Sequence, residues 1–340
     1  MKVNKQFYDS LMFRTIDLHK FGGSINKMLS EEITDLEHKI CRVLVATGLD
    51  LMEPKVKRDV ARSSLNETVD ALLYSRFYRI DNKFNAILND IGLQEHNFIH
   101  RQLSDVSSKK CNPLLHEDIL QTVSRPLIAG KDIRYWGDNT RRILRRDINT
   151  KIDTELSEGA TTVDVIKKLK GDKTYGYRNG AFRSVLGKLQ TLFRSGITSV
   201  TNDIRQRLYS KNAHLIKSFY WNSTLDGNSS SICNHSHNST WEVPSLNPQG
   251  NISVYRSGSP HFNCRSTIVP LFRDNSAILQ DEYGGTIKEW IKSRSDREHR
   301  TIFGSKKYSL WKKEKISYPQ LVNFKTTPIT IHDLNMRYGA

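Results

Sequence analysis

The stretch from Trp221 to Pro270 sets the tightest limit on how this chain can fold. It contains no lysine, eleven serines, seven asparagines and four of the nine prolines, and its apolar residues are few and scattered. Such residues favour turns, because serine and asparagine side chains bond to nearby backbone and proline fixes φ. Ordering each residue costs about 1–2 kcal/mol of backbone entropy. So few apolar side chains cannot offset that cost by burial alone, so the segment needs a staple. Two of the chain's four cysteines lie here with three histidines, in Cys233-Asn-His235-Ser-His237 and His261-Phe-Asn-Cys264.

Those residues admit several chemistries. His261-x-x-Cys264 is a short chelate loop suited to presenting one nitrogen and one sulfur to zinc. Cys233 and His237 form a second pair, with His235 as an alternative ligand. Two such loops would give a closed, four-coordinate structural site, whose binding energy becomes folding energy. Cys233 and Cys264 could instead form a disulfide, although a reducing compartment opposes this. The histidines could be hydrogen-bonded surface groups. A cysteine nucleophile with a histidine base is the remaining alternative, with no orienting third group in view.

The first two hundred residues read mainly as helices. From Ser30, a cap residue, Ile33, Leu36, Ile40, Val43 and Leu44 share one face. A second run from about Ser64 carries Leu65, Val69, Leu72, Leu73, Phe77 and Ile80, and residues 105–130 read mostly as loop and short turns. Leu144, Ile148, Ile152 and Leu156 recur every four residues, with Arg141, Arg142, Arg145 and Arg146 on the preceding turns. Thr161-Thr-Val-Asp164 has capping-box spacing and opens a short helix closed by Gly171. Phe182, Val185, Leu186, Leu189, Leu192, Phe193, Ile197, Val200, Ile204 and Leu208 define a long core helix. A further short helix is expected around Ile287–Ile291.

Together these signals predict an α+β chain that is mainly α. It divides into a helical N-terminal region (1–137), a second helical region (138–220), a turn-rich Cys/His module (221–272) and a basic C-terminal extension (273–340). No apolar run approaches the roughly 20 residues needed to span a membrane, and the first residues lack a secretory signal's apolar core. The excess of 52 Lys+Arg over 36 Asp+Glu, a net charge of +16, favours polyanionic or acidic partners. Contact residues expected from this surplus are Arg141, Arg142, Arg145 and Arg146, and Lys306, Lys307, Lys312 and Lys313.

Trp221-Asn-Ser-Thr-Leu-Asp226, Ile232-Cys233, Trp241 and Pro260-His261-Phe-Asn-Cys264-Arg265-Ser266 with Pro270 resemble the phage head-morphogenesis family, the Mu F-like minor head proteins of tailed bacteriophages. The likeness runs over roughly residues 140–335, and His-x-x-Cys-Arg-Ser is its most specific part. Ser236 stands where many members carry a second cysteine of C-x-x-C, with His235 and His237 on either side. The resemblance implies a low-copy, non-enzymatic virion protein near the portal vertex, acting in head morphogenesis, DNA packaging or DNA ejection. Its implied partners are the portal protein, neighbouring head proteins and packaged DNA, and its assembly would take place in the host cytoplasm. The competing expectation is a metal-dependent nuclease, which would need an open metal site with an activated water.

Overall fold

The computed structural model describes residues 3–49, 55–224, 229–249, 255, 257–273, 282–283, 287–316 and 329–338. Asp226 of the Trp-x4-Asp element lies outside the described residues. The fold is α+β and mainly α, about 70% helical. In chain order its helices are α1 (Lys5–Ser24), α2 (Asn26–Thr47), α3 (Lys55–Val106), α4 (His116–Ser124), α5 (Ile133–Ser157), α6 (Thr162–Lys170), α7 (Ala181–Lys211), α8 (Ser231–Ser236), α9 (Ile287–Lys292), α10 (Asp296–Phe303), α11 (Ser305–Lys312) and α12 (Ile331–Tyr338). The strands are β1 (Val3–Asn4), β2 (Leu127–Ile128), β3 (Lys131–Asp132), β4 (Ile216–Asn222), β5 (Thr240–Glu242), β6 (Pro248–Gln249), β7 (Thr267–Phe272) and β8 (Glu282–Tyr283). No described helix is long and apolar enough to cross a membrane.

The chain forms two compact units. One comprises residues 1–24, 87–132 and 194–340, and the other residues 25–86 and 133–193. Two of the boundaries fall inside α3 and α7.

The second unit has only helices among its described secondary-structure elements, and its core follows the periodicity of the sequence. Ile33, Leu36, Ile40 and Leu44 of α2 are buried, as are Leu144, Ile148 and Ile152 of α5 and Val165 and Leu169 of α6. The expected capping box is present: Thr161 Oγ1 accepts from Asp164 N, and the Asp164 carboxylate accepts from Thr161 N. Glu32, also buried, accepts hydrogen bonds from Arg79 and from Lys83, each at 2.6 Å, and from Arg76. Burial alone would raise its carboxyl, but these three cations outweigh it and hold Glu32 at about 2.

Two helices depart from the sequence reading. The run read from Ser64 is part of a 52-residue α3, because Leu88, Ile91, Phe98, Ile99 and Leu103 continue its buried stripe. The 105–130 segment contains α4, where only Ile119, Thr122 and Val123 are buried. One helical turn of apolar spacing is too short to show a period.

The first unit joins helices to the turn-rich segment. β4 is central in an antiparallel sheet of order β6-β5-β4-β7, pairing Phe219 with both Trp241 and Pro270. Pro270, which has no N–H to give, lies on edge strand β7. Phe219, Trp241 and Tyr255 form a ring cluster with centroids 5.1–5.8 Å apart. The sheet does not bury its face alone. Asn202 of α7 brackets the start of β7, giving its Nδ2 to Ser266 O and accepting from Ile268 N. Asn222 Nδ2 donates to Tyr8 OH of α1 at 2.7 Å, and Phe7 packs edge-on to Phe272 at 6.0 Å. Beneath this layer Glu95 accepts from Arg14 Nε at 3.0 Å and Arg205 Nε at 2.6 Å, with all three side chains at 1% exposure or less.

Candidate metal centre

The first unit brings Cys233, His261 and Cys264 to one point, with all three ligand atoms within 4.8 Å of one another. Cys233 enters on α8, where Ser230 caps the helix by accepting from Cys233 N at 3.1 Å. Its carbonyl accepts from Ser223 Oγ at the end of β4, at 2.6 Å. The other two ligands lie on the turn before β7. Asn263 there has φ +56, a left-handed conformation that asparagine tolerates better than most residues. Asn263 N donates to Ser195 Oγ at 2.8 Å, and Thr198 Oγ1 to Cys264 O at 2.9 Å, so α7 fixes this turn from below.

The distances suit shared coordination. The sulfurs of Cys233 and Cys264 are 3.6 Å apart and both thiols are free. Two sulfurs at tetrahedral angles on one zinc sit about 3.8 Å apart, given Zn–S bonds of about 2.3 Å. His261 Nε2 lies 2.9 Å from Cys233 Sγ. Its Nδ1 is 2.9 Å from Phe262 O, and a carbonyl only accepts, so Nδ1 carries the proton that donates there. That bond orients the ring and turns Nε2 toward the sulfurs, as in many metal-binding histidines. Ser266 Oγ donates to Cys233 Sγ at 3.0 Å, and Ser230 Oγ is 2.7 Å from His261 Nε2.

The electrostatics favour the ligand form. Hydrogen bonding from Cys264, opposed by burial and aided by His261 and Ser266, holds the Cys233 thiol down at about 4. Cys264 is pushed well up by the same contact and by its own burial. The Cys233 contact raises His261 against the opposing effect of burial. The same contact therefore favours the thiolate on Cys233 and the protonated thiol on Cys264, and draws His261 toward its protonated form. A divalent cation would replace those protons. The Cys-His-Cys group is able to hold a metal ion.

Two sequence candidates stand apart from this group. His237 is half-buried, and its Nδ1 accepts from Ser223 N at 3.2 Å. Burial lowers its pKa. His235 is exposed on α8. The x3 spacing of Cys233 and His237 fits a chelate, but Cys233 lies buried on the six-residue α8 while His237 follows its end with Nδ1 held by Ser223 N, and His235 faces solvent. Ser230 and Ser266, which touch the ligands, were not singled out as site residues; a helix-cap position and the residue after Cys-Arg were the available signals.

The expected cationic contacts divide in the same way. Arg141 and Arg142 pair with Asp138, at 2.7 and 3.2 Å, and Arg145 with Asp70 at 2.5 Å. Arg146 is exposed and forms no ion pair among the described residues. Arg142, Arg145 and Arg146 line a shallow open groove of about 400 Å³ with Asn149, Thr150 and Asp153. Lys312 pairs with Asp296 at 2.7 Å, Lys307 is half-buried and burial lowers its pKa, and Lys306 and Lys313 are exposed. The charge surplus is therefore smaller at these sites than the residue list suggests.

No family model, curated protein or solved structure matches this chain.

Proposed function

We propose that the chain is a structural minor head protein of a tailed bacteriophage, seated near the portal vertex and acting in head assembly, DNA packaging or DNA ejection. Within it, zinc held by Cys233, His261 and Cys264 fixes the sheet to α8. The observation that carries this reading is the His261-x-x-Cys264-Arg265-Ser266 element. Its histidine, cysteine and serine all converge on Cys233. Both sulfurs are buried, at 3% exposure or less, which suits a folding staple better than a reaction centre. The portal protein, neighbouring head proteins and packaged DNA are its partners in this reading; of the eight expected contact residues, Arg146, Lys306 and Lys313 are exposed and form no ion pair among the described residues.

One observation favours the rival nuclease reading. Only three ligands converge among the described residues, and three protein ligands with one exchangeable position also describe catalytic zinc. The deciding experiment follows His261→Ala through folding, head incorporation and plasmid cleavage with added Mg²⁺, Mn²⁺ or Zn²⁺. A structural staple loses folding and incorporation together, and neither protein cuts DNA. A nuclease gives a folded, incorporated variant that has lost a cleavage activity present in the parent.

A further inference from the structure

Between α6 and α7 the chain makes a ten-residue excursion, Gly171-Asp-Lys-Thr-Tyr-Gly-Tyr-Arg-Asn-Gly180, in which all eight inner residues are exposed. Exposure here does not mean looseness. The two ends meet backbone to backbone: a Cβ on Gly180 would lie 2.1 Å from Lys170 O, and one on Gly171 2.5 Å from Gly180 N. Asp172 N donates to Asn179 Oδ1 at 2.8 Å, joining the second residue to the ninth. Inside, Tyr175 N and Tyr177 N both donate to Asp172 O, and Gly180 N donates to Tyr177 O. The loop is a preformed platform.

What it displays is unusual for a solvent loop. Tyr175 and Tyr177 are 64% and 48% exposed, and no ring or side-chain hydrogen-bond partner for either appears among the described residues. Tyr177 sits at φ +61, a left-handed conformation that a bulky side chain rarely adopts and that persists only when its surroundings enforce it. Two cations, Lys173 and Arg178, flank the tyrosines, and neither forms an ion pair among the described residues. The one acid of the loop, Asp172, is occupied by the Thr174 backbone at 2.6 Å.

We propose that loop 171–180 is a binding surface for single-stranded nucleic acid, with bases stacking on Tyr175 and Tyr177 and phosphates meeting Lys173 and Arg178. Aromatic rings flanked by cations match that ligand, because each nucleotide brings a flat apolar face and one negative charge. A duplex offers the charge but hides the faces in its stack. An acidic protein surface offers carboxylates without flat partners for two exposed rings. This inference stands apart from the head-protein reading, since it uses neither the metal centre nor the resemblance.

The test is fluorescence anisotropy with the full chain and three labelled probes: a fifteen-residue oligothymidylate, the same oligomer made from abasic units, and a hairpin duplex of equal charge. The variants are Tyr175→Ala with Tyr177→Gly, glycine being chosen because it adopts φ +61 without strain, and Lys173→Gln with Arg178→Gln. The expected result is tightest binding of oligothymidylate, weakened about tenfold or more by loss of the two rings and little by the same change on the abasic probe. Loss of the two cations should flatten the salt dependence on all three probes. Equal affinity for oligothymidylate and duplex overturns the proposal, as does oligothymidylate binding unaffected by the tyrosine changes. So does an absence of oligothymidylate binding, or its competitive displacement by polyglutamate from a site the tyrosine variant retains.

Discussion

Among the described residues each unit contains one buried glutamate gripped by cations, and the two clamps differ in depth. In the first unit Glu95 lies between Arg14 and Arg205, and none of the three side chains exceeds 1% exposure. In the second, Glu32 is 5% exposed, but its partners Arg79 and Lys83 are 56% and 44% exposed, and Arg76 has Asp35 as a second acceptor. A charge held at a rim can re-solvate when its partner is lost, whereas a fully enclosed one cannot. The same contrast runs through the rest of the molecule. The helical unit is held by apolar stripes with most of its polar groups solvated outside, and the sheet-bearing unit adds buried polar and sulfur contacts to its apolar core. Loss of one polar group should therefore cost the first unit more.

The largest effect should come from the cysteine-histidine centre. We expect about one zinc per chain by elemental analysis of reduced protein. Chelation or Cys264→Ser should cost several kcal/mol, a part of the roughly 10–16 kcal/mol that structural zinc supplies in small zinc-dependent modules. Hydrogen exchange read by segment should show β4, β5, β7 and α8 losing protection while α2, α5 and α6 keep theirs. Metal-free protein with full protection in those strands would remove the staple from the account.

Next in size is the glutamate comparison itself. Glu95→Gln leaves two enclosed guanidinium groups facing a neutral amide and should destabilise by about 3–5 kcal/mol in urea titration. Glu32→Gln should cost about 2 kcal/mol or less, since two of its three cations turn to water. If the two losses are equal, depth is not what separates the clamps.

How far these features could be read from the sequence follows the same division. The stripes of α2, α5, α6 and α7 were legible because helix geometry repeats over neighbouring residues, and so was the cap at Thr161, three residues from its partner. Cys233, His261 and Cys264 were legible as chemistry, because few residue types bind metals. What was not legible is non-local. Asn202 bonding across to Ser266 and Ile268, and Arg14 and Arg205 reaching Glu95 from 81 and 110 residues away, leave no periodic trace. The turn-rich module reads as too thin to fold unaided, and α1 and α7 supply the partners its own sequence lacks.

Acidification should separate the units by sign. Asp203, enclosed in the first unit, is raised to about 6 by burial, despite hydrogen bonds from Ser257 Oγ and Gly258 N at 2.7 Å each. A carboxyl raised on folding is neutral in both states below about pH 4. The unfolded chain ionises first as pH rises, so stability falls between about pH 4 and 6 and stays lower above. Glu32 acts oppositely: its depressed folded value gives stability that is present above about pH 4.5 and lost as pH falls toward 2. Asp203→Asn keeps an acceptor for both donors and removes the ionisation. It should raise stability at pH 7 by roughly 2–3 kcal/mol and leave it nearly unchanged at pH 4. An equal effect at both pH values would assign the gain to something other than charge.

The smallest effect expected is also the most local. Thr161 caps α6 in the helical unit, and Ser230 caps α8 beside the metal centre, each accepting from the backbone three residues on. Thr161 is exposed, and the Asp164 carboxylate it binds is held at about 2 by hydrogen bonds from Thr161 and Lys167. Thr161→Ala should cost about 1 kcal/mol, the usual worth of such a cap, and fray only the first turn of α6. Ser230 also lies 2.7 Å from His261 Nε2, so Ser230→Ala removes a cap and a neighbour of a ligand together. Zinc on Nε2 would take the lone pair that Ser230 touches, so the cost should exceed that of Thr161→Ala after chelation and shrink toward the same roughly 1 kcal/mol in the zinc-loaded protein. A difference unchanged by chelation would mean that Ser230 acts on α8 alone, and the two caps would then be equivalent devices in otherwise unlike units.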